Sequence, residues 1–436
     1  MPASREERSA EERGILVRLL APIATWAFFV VLMLAIDHTG AVRELKYASL
    51  GLIERAFGTA GHDRDLDVQV VDLSDLRVRA TPTSRGEKVT PHTALWTAIE
   101  SVAVHGPAAI GIDIDFAPTD TGLADYNQDS QFFLKCLKLT AGALPNLPRV
   151  PVFLGVHRTV LTGPATWLGG EGYAPLAASI FLPHGDFERM PLLTGIEGAA
   201  APCSSMAFRL AAAKRPRWPR NGFPYEWWTE DKDSRGGLRA TTRRAVGTDF
   251  SPVDRFVAEA IPVDHLSPAM HGSLAGKVVL MGDISPHGEN ADVFKLPGRL
   301  DQDAPGVTVH ASSAQTLLDG PLWKPTPAGR ILLDFLVLLI PLALFALWEY
   351  RWLRTHETAL RVRWLRTVAD RGVLLGQIAF GVFLVARTRL VWDDFLLAIP
   401  IALLVPRVDR WFHGWTKRKL EEIGPPVEIG PIGGKP

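Results

Sequence analysis

The chain has 436 residues, sets 47 Lys+Arg against 47 Asp+Glu, and is 47% hydrophobic. With no basic excess to neutralise phosphates, no nucleic-acid partner is expected. The length allows more than one domain and a core that needs no covalent staple. Apolar stretches lie near both ends and frame a soluble-looking middle.

The first apolar stretch, Ile15 to Ile36, is broken only by Arg18 and Pro22. It supplies the roughly 20 apolar residues that a membrane helix needs. The following AIDHTG lacks a small-x-small cleavage pattern, so an uncleaved anchor over 15–37 is expected rather than a signal peptide.

The middle opens with LDVQVVDLSD (66–75), a central strand ending at Asp72. Residues 92–106 place Ala94, Leu95, Ala98, Ile99, Val102 and Ala103 on one helical face, with Gly106 as the stop signal. AAIGIDIDF (108–116) then reads as a buried strand carrying Asp113 and Asp115 on one side of its end. A strand, a helix and a strand joined by short links form a βαβ unit, so the two strands should run parallel. Further strands are expected in RVPVFLGVHR (149–158) and from Lys277 to Met281 before Gly282-Asp283. PGVTVHASSAQTLLDG (305–320) is expected to begin as a strand and become a helix from about Ala311 to Leu318. Residues 159–260, rich in Gly, Pro, Arg and Trp, read as a loop-heavy insertion outside the core. Of the two cysteines, Cys136 lies in the apolar run FFLKCLKL and is expected as a buried thiol; a bridge to Cys203 is the alternative.

Three more apolar stretches follow, at 331–348, 372–386 and 390–405. The segment between the first two carries Arg351, Arg354, Arg361, Arg363, Arg366 and Arg371, and the tail repeats the bias from Arg407 to Lys419. The positive-inside rule assigns both to the cytoplasm. The expected layout is a cytoplasmic tail (1–14), an anchor (15–37), an extracytoplasmic domain (38–328), three helices (329–406) with a basic cytoplasmic loop (349–371), and a cytoplasmic tail (407–436). Arg387 and Arg389, on the outer link, are the dissent from that rule. In the basic loop Leu360, Trp364 and Val368 recur every four residues among arginines, an amphipathic pattern that fits lipid headgroups or a partner.

The ordered set DLSD, helix, GIDIDF, GKVVLMGD and PGVTVHASSAQTLL, with one span before and three after, resembles a type 2 CHASE domain. The likeness covers about 38–406 and is weakest across the insertion. It implies an α/β extracytoplasmic sensory domain with a mainly parallel sheet flanked by helices, plus four transmembrane helices. It further implies a sensor in the bacterial inner membrane, pairing of two copies, and output through a kinase or nucleotide cyclase. Only about thirty residues follow the fourth span, so a separate cytoplasmic effector is expected.

In open parallel sheets ligands bind at the carboxyl ends of the strands. That rule nominates Asp72, Asp113, Asp115, Asp283 and His310 as sites for an ionic or small-molecule ligand outside the cell. A cation or a hard metal would suit the carboxylates, with no cofactor or metal specified. Loop tying is the competing role: Asp72 in VVDLSD suits an Asx-turn, and Asp115 the loop APTD. Metal-dependent hydrolysis is the alternative function, although no GxSxG, HExxH or P-loop pattern supports it. Ser204-Ser205 and Ser312-Ser313 read as helix starts rather than nucleophiles. The polar groups within the spans, Arg18, Asp334 and Gln377, are too few for a transport pathway.

Overall fold

The computed structural model describes residues 46, 49–51, 53, 56, 65–76, 78–79, 88–116, 130–156, 173–182, 189–196, 203–229, 240–266, 273–285, 292–296, 303–334, 336–337, 375–376 and 378–392. Contacts divide the chain into two compact units, Tyr47–Thr326 with Leu384–Val391, and Met1–Lys46 with Pro327–Phe383 and Trp392–Pro436.

In the first unit the elements run β1 (Val68–Asp72), α1 (His92–Ala103), β2 (Ala109–Ile112), α2 (Ser130–Ala141), β3 (Val152–Val156) and β4 (Ala177–Ser179). They continue with β5 (Arg189–Ile196), β6 (Cys203–Ser204), α3 (Met206–Lys214), β7 (Tyr225–Glu226), β8 (Trp228–Thr229) and β9 (Ala240–Gly247). The last are α4 (Val253–Ala258), β10 (Ile261–Pro262), β11 (Val278–Gly282), β12 (Val293–Phe294), β13 (Ala304–Pro305), α5 (Gly306–Asp319) and β14 (Lys324–Pro325).

Six strands form one sheet in the order β10-β1-β11-β2-β3-β4, every neighbouring pair parallel. The expected βαβ unit is present, and β11 lies between its two strands. Alternation along the strands splits the core into two faces. Val70 and Leu280 turn to one face, with α3 and α5. Val71, Ile110, Ile112, Val279 and Met281 turn to the other, against Leu95 and Ile99 of α1 and Phe133 and Leu139 of α2. Gly106, at φ 64, ends the α1 turn in the left-handed region that glycine adopts freely. Cys136 and Cys203 are free thiols, and burial raises both pKa values.

Two expectations need correction. The stretch 159–260 is not mere insertion: it supplies β4 to the main sheet and builds a four-stranded antiparallel sheet, β8-β9-β5-β6. Its helix α3, capped by Ser205 Oγ accepting from Phe208 N, sets Met206 and Leu210 against Gly111, where no side chain would fit. Gly, Pro and Trp read as loop residues because strands and turns alternate here over short distances.

The second correction concerns α5, which starts at Gly306, not near Ala311. The β-branched Val307, Thr308 and Val309 favour strand locally, but residues 306–318 are buried throughout, and tertiary packing overrides local preference. Ser312 and Ser313 therefore stand inside the helix rather than at its start, while Ser205 is a cap as expected. The polar side chains of α5 tie it to its neighbours. Gln315 Oε1 accepts from Asp67 N (2.9 Å) and Val68 N (3.1 Å), and Thr316 Oγ1 accepts from Asp249 N (3.0 Å).

After α5, Trp323 pairs with the segment 389–391: its N donates to the Arg389 carbonyl (2.8 Å), and Val391 N donates back (2.7 Å). The Arg389 side chain is buried, and its charge acts on Asp319 against the upward push of burial.

In the second unit α6 (Pro327–Asp334) exposes Ile331 and Leu332, and Trp392 Nε1 donates to the buried Asp334 Oδ1 at 2.8 Å. Of the apolar stretches expected as spans, 15–37 lies wholly and 331–348 and 390–405 lie largely outside the described residues, while most of 372–386 is described and is helical. Among the described residues no helix is long and apolar enough to cross a membrane.

Candidate functional site

The carboxyl ends of β1, β11 and β2 bring together most of the nominated residues, in two different roles. Asp72 closes β1 in register with Gly282. Its Oδ1 accepts from Ser74 N (3.0 Å) and Ile284 N (3.3 Å), and its Oδ2 accepts from Ser74 Oγ (2.7 Å). This is the Asx-turn expected from VVDLSD, extended across to the next strand. Asp283 makes a similar turn, accepting from Ser285 N at 2.8 Å and from Ser285 Oγ. Both carboxylates hold loops.

Asp113 and His310 differ. The ladder of β2 ends at Ile112, one residue before Asp113, so strand alternation does not reach Asp115 as the sequence led us to expect. Gly155 on β3 lies directly beneath the carbonyls of Ile112 and Ile114. The chain therefore turns over β3, and Asp115 is half-buried in the loop beyond.

The Asp113 backbone still bonds to the sheet, its N donating to the Met281 carbonyl at 2.8 Å. The side chain enters the α3/α5 face, as its spacing from Gly111 requires, beside Gly282 and Val307. There His310, in the second turn of α5, sets Nε2 3.9 Å from Asp113 Oδ1, with side chains 2% and 8% exposed. That is too long for a hydrogen bond. Among the described residues neither ring nitrogen of His310 reaches a partner at hydrogen-bonding geometry.

Burial governs both groups, because a low-dielectric surround disfavours the charged form of each. It pushes Asp113 up to about 7. It pushes His310 down to about 4, although the Asp292 carboxylate and the Ile180 carbonyl favour its proton. Both side chains are therefore mainly uncharged between about pH 4 and 7. A protonated carboxyl beside a neutral imidazole offers donors and acceptors to a polar ligand, and a proton route between them.

Asp292 was not among the sequence candidates. It lies at the start of α5, its carbonyl accepting from Gly306 N (2.7 Å) and its carboxylate packed on the Gly306 Cα. A negative charge there is favoured by the helix dipole. No motif marks it, because the contact depends on where α5 begins. Ser312 Oγ is also buried without a partner among the described residues. Among those residues no group of three or more His, Cys, Asp or Glu could hold a metal ion.

Residues 26–347 match the family model of the CHASE2 domain. No curated protein and no solved structure matches the chain. The family consists of extracytoplasmic sensory domains rather than catalytic ones. The match takes in both faces of the parallel sheet and the Asp113–His310 pair, and it spans well over half of the 436 residues. The chain belongs to the CHASE2 domain family.

Proposed function

We propose that the protein is a bacterial inner-membrane receptor that detects a signal outside the cytoplasm and passes it to a separate cytoplasmic effector. The observation that carries this reading is the CHASE2 match over 26–347 around a buried acid–imidazole pair at the carboxyl edge of the sheet. A polar ligand reaching Asp113 and His310 would bond to an imidazole whose ring nitrogens have no partner at hydrogen-bonding geometry among the described residues, giving it preference for one arrangement of α5. Only such a differential affinity can shift a two-state element.

In this reading four helices anchor the domain: 15–37 and three within 329–406. The outward Ile331, Leu332, Leu375, Phe380 and Phe383 support it, since large apolar side chains facing outward suit lipid. The basic amphipathic loop 349–371 is the surface assigned to the effector.

Protease added to intact spheroplasts should remove an epitope placed in the domain 38–328 and spare a C-terminal tag. Loss of the tag with survival of the domain would reverse the topology and refute this reading.

A further inference from the structure

We propose that the turn segment Arg215–Tyr225, beside the exit of the sensory domain, inserts into the outer headgroup layer of the bilayer that anchors the chain. The proposal rests on the membrane reading above and adds a contact surface to it.

Phe223 is 70% exposed and Tyr225 38% exposed, at the tip of a turn between α3 and β8. One exposed aromatic is ordinary. This one is held by a built scaffold. Asn221 Oδ1 accepts from Trp227 N (2.9 Å), Trp227 Nε1 donates to the Pro219 carbonyl (2.7 Å), and Trp218 packs at a tilt against Trp227, ring centroids 6.0 Å apart. Arg217 and Arg220 are exposed along the segment, while Arg215, at its base, donates to the Leu318 carbonyl (3.1 Å). Aromatic rings with arginines are the residues that settle at a membrane–water interface, rings at headgroup level and cations on phosphates.

Position names the occupant. Tyr225 pairs with Pro325, and the Pro224 carbonyl accepts from Thr326 N at 2.9 Å. Thr326 directly precedes α6 in sequence, and α6 exposes Ile331. A second line is independent. Trp323, three residues upstream, pairs with the link at Arg389–Val391, which continues at both ends into apolar stretches. Two chain segments bound for the bilayer thus leave the domain beside this turn. The buried Arg389 directs its charge at the domain, where it acts on Asp319.

The test uses the full chain with Cys136→Ala and Cys203→Ala, labelled with bimane at Phe223→Cys, Tyr225→Cys or Asp264→Cys. Asp264 is exposed just past the opposite, carboxyl edge. The protein is reconstituted in phosphatidylethanolamine–phosphatidylglycerol vesicles containing a lipid spin-labelled near the headgroup. Severalfold stronger quenching at 223 and 225 than at 264 is expected, with depths near the headgroup–acyl boundary. Equal or absent quenching at the three positions, in protein that resists carbonate extraction, overturns the proposal and leaves the membrane reading intact. Release by carbonate refutes the membrane reading, and this inference with it. Phe223→Cys and Tyr225→Cys check one another should either disturb the turn.

Discussion

Replacing His310 by leucine should make the stability of the folded domain fall as pH rises from about 4 to about 7, by on the order of 4 kcal/mol in total. In the native chain the pair should contribute almost no slope across that range. Folded Asp113 keeps its proton up to about 7, whereas the unfolded carboxyl releases it near 3.8. Folded His310 refuses a proton down to about 4, whereas the unfolded imidazole takes one below 6.5. Between 4 and 6.5 each state carries one proton on the pair, so the proton counts match and stability is level.

Without His310 only the raised carboxyl remains. Its stability contribution is complete below 3.8 and is lost as pH climbs through about 7. Asp113→Asn should show the mirror image: a contribution complete above 6.5 and lost as pH falls through about 4, on the order of 3 kcal/mol. Asp292, which favours the His310 proton, is left in place in both variants. Denaturant midpoints taken from pH 4 to 7.5 in detergent would show these slopes. Level profiles in both variants would contradict the buried, uncharged pair.

Gly155→Ala should destabilise the domain by about 1–3 kcal/mol, the usual range for overpacking, and toward its upper end here. A Cβ at 155 would strike the Ile114 carbonyl oxygen and lie 3.0 Å from that of Ile112. Both are backbone atoms, unable to swing aside as a side chain could. The Asp113–Asp115 turn would have to lift off β3, moving Asp113 relative to His310. A fall of several degrees in the thermal midpoint, together with a pH slope at Asp113 different from the parent's, is the expected result. An unchanged midpoint would show that the turn does not lie on β3 as described.

The parallel sheet was legible because its strands are short apolar runs with carboxylates at their ends. Val68–Asp72, Ala109–Ile112, Val152–Val156 and Val278–Gly282 lie within the stretches expected from sequence. The Asp72 turn was legible too, since an Asx-turn is a local event. Less local features were not. The start of α5 at Gly306 depends on complete burial, which no window of local preference reports. The split of the aspartates into loop ties (Asp72, Asp283) and a buried pair member (Asp113) depends on where β2 stops. That in turn depends on a glycine in a different strand, Gly155. Arg389 looked like a misplaced charge because Asp319, on which its charge acts, lies 70 residues away.

In the proposed receptor an event at the carboxyl edge of the sheet reaches a cytoplasmic effector. The most direct test is a crosslinked, mild-detergent pull-down of the full tagged chain from its native membrane, run beside Asp113→Asn, with proteins identified by mass spectrometry. One stoichiometric cytoplasmic effector is expected with the parent chain, crosslinked through 349–371, and a changed crosslinking yield in the variant at equal membrane content. Recovery of the chain alone, or an effector crosslinked identically in both, would contradict this reading.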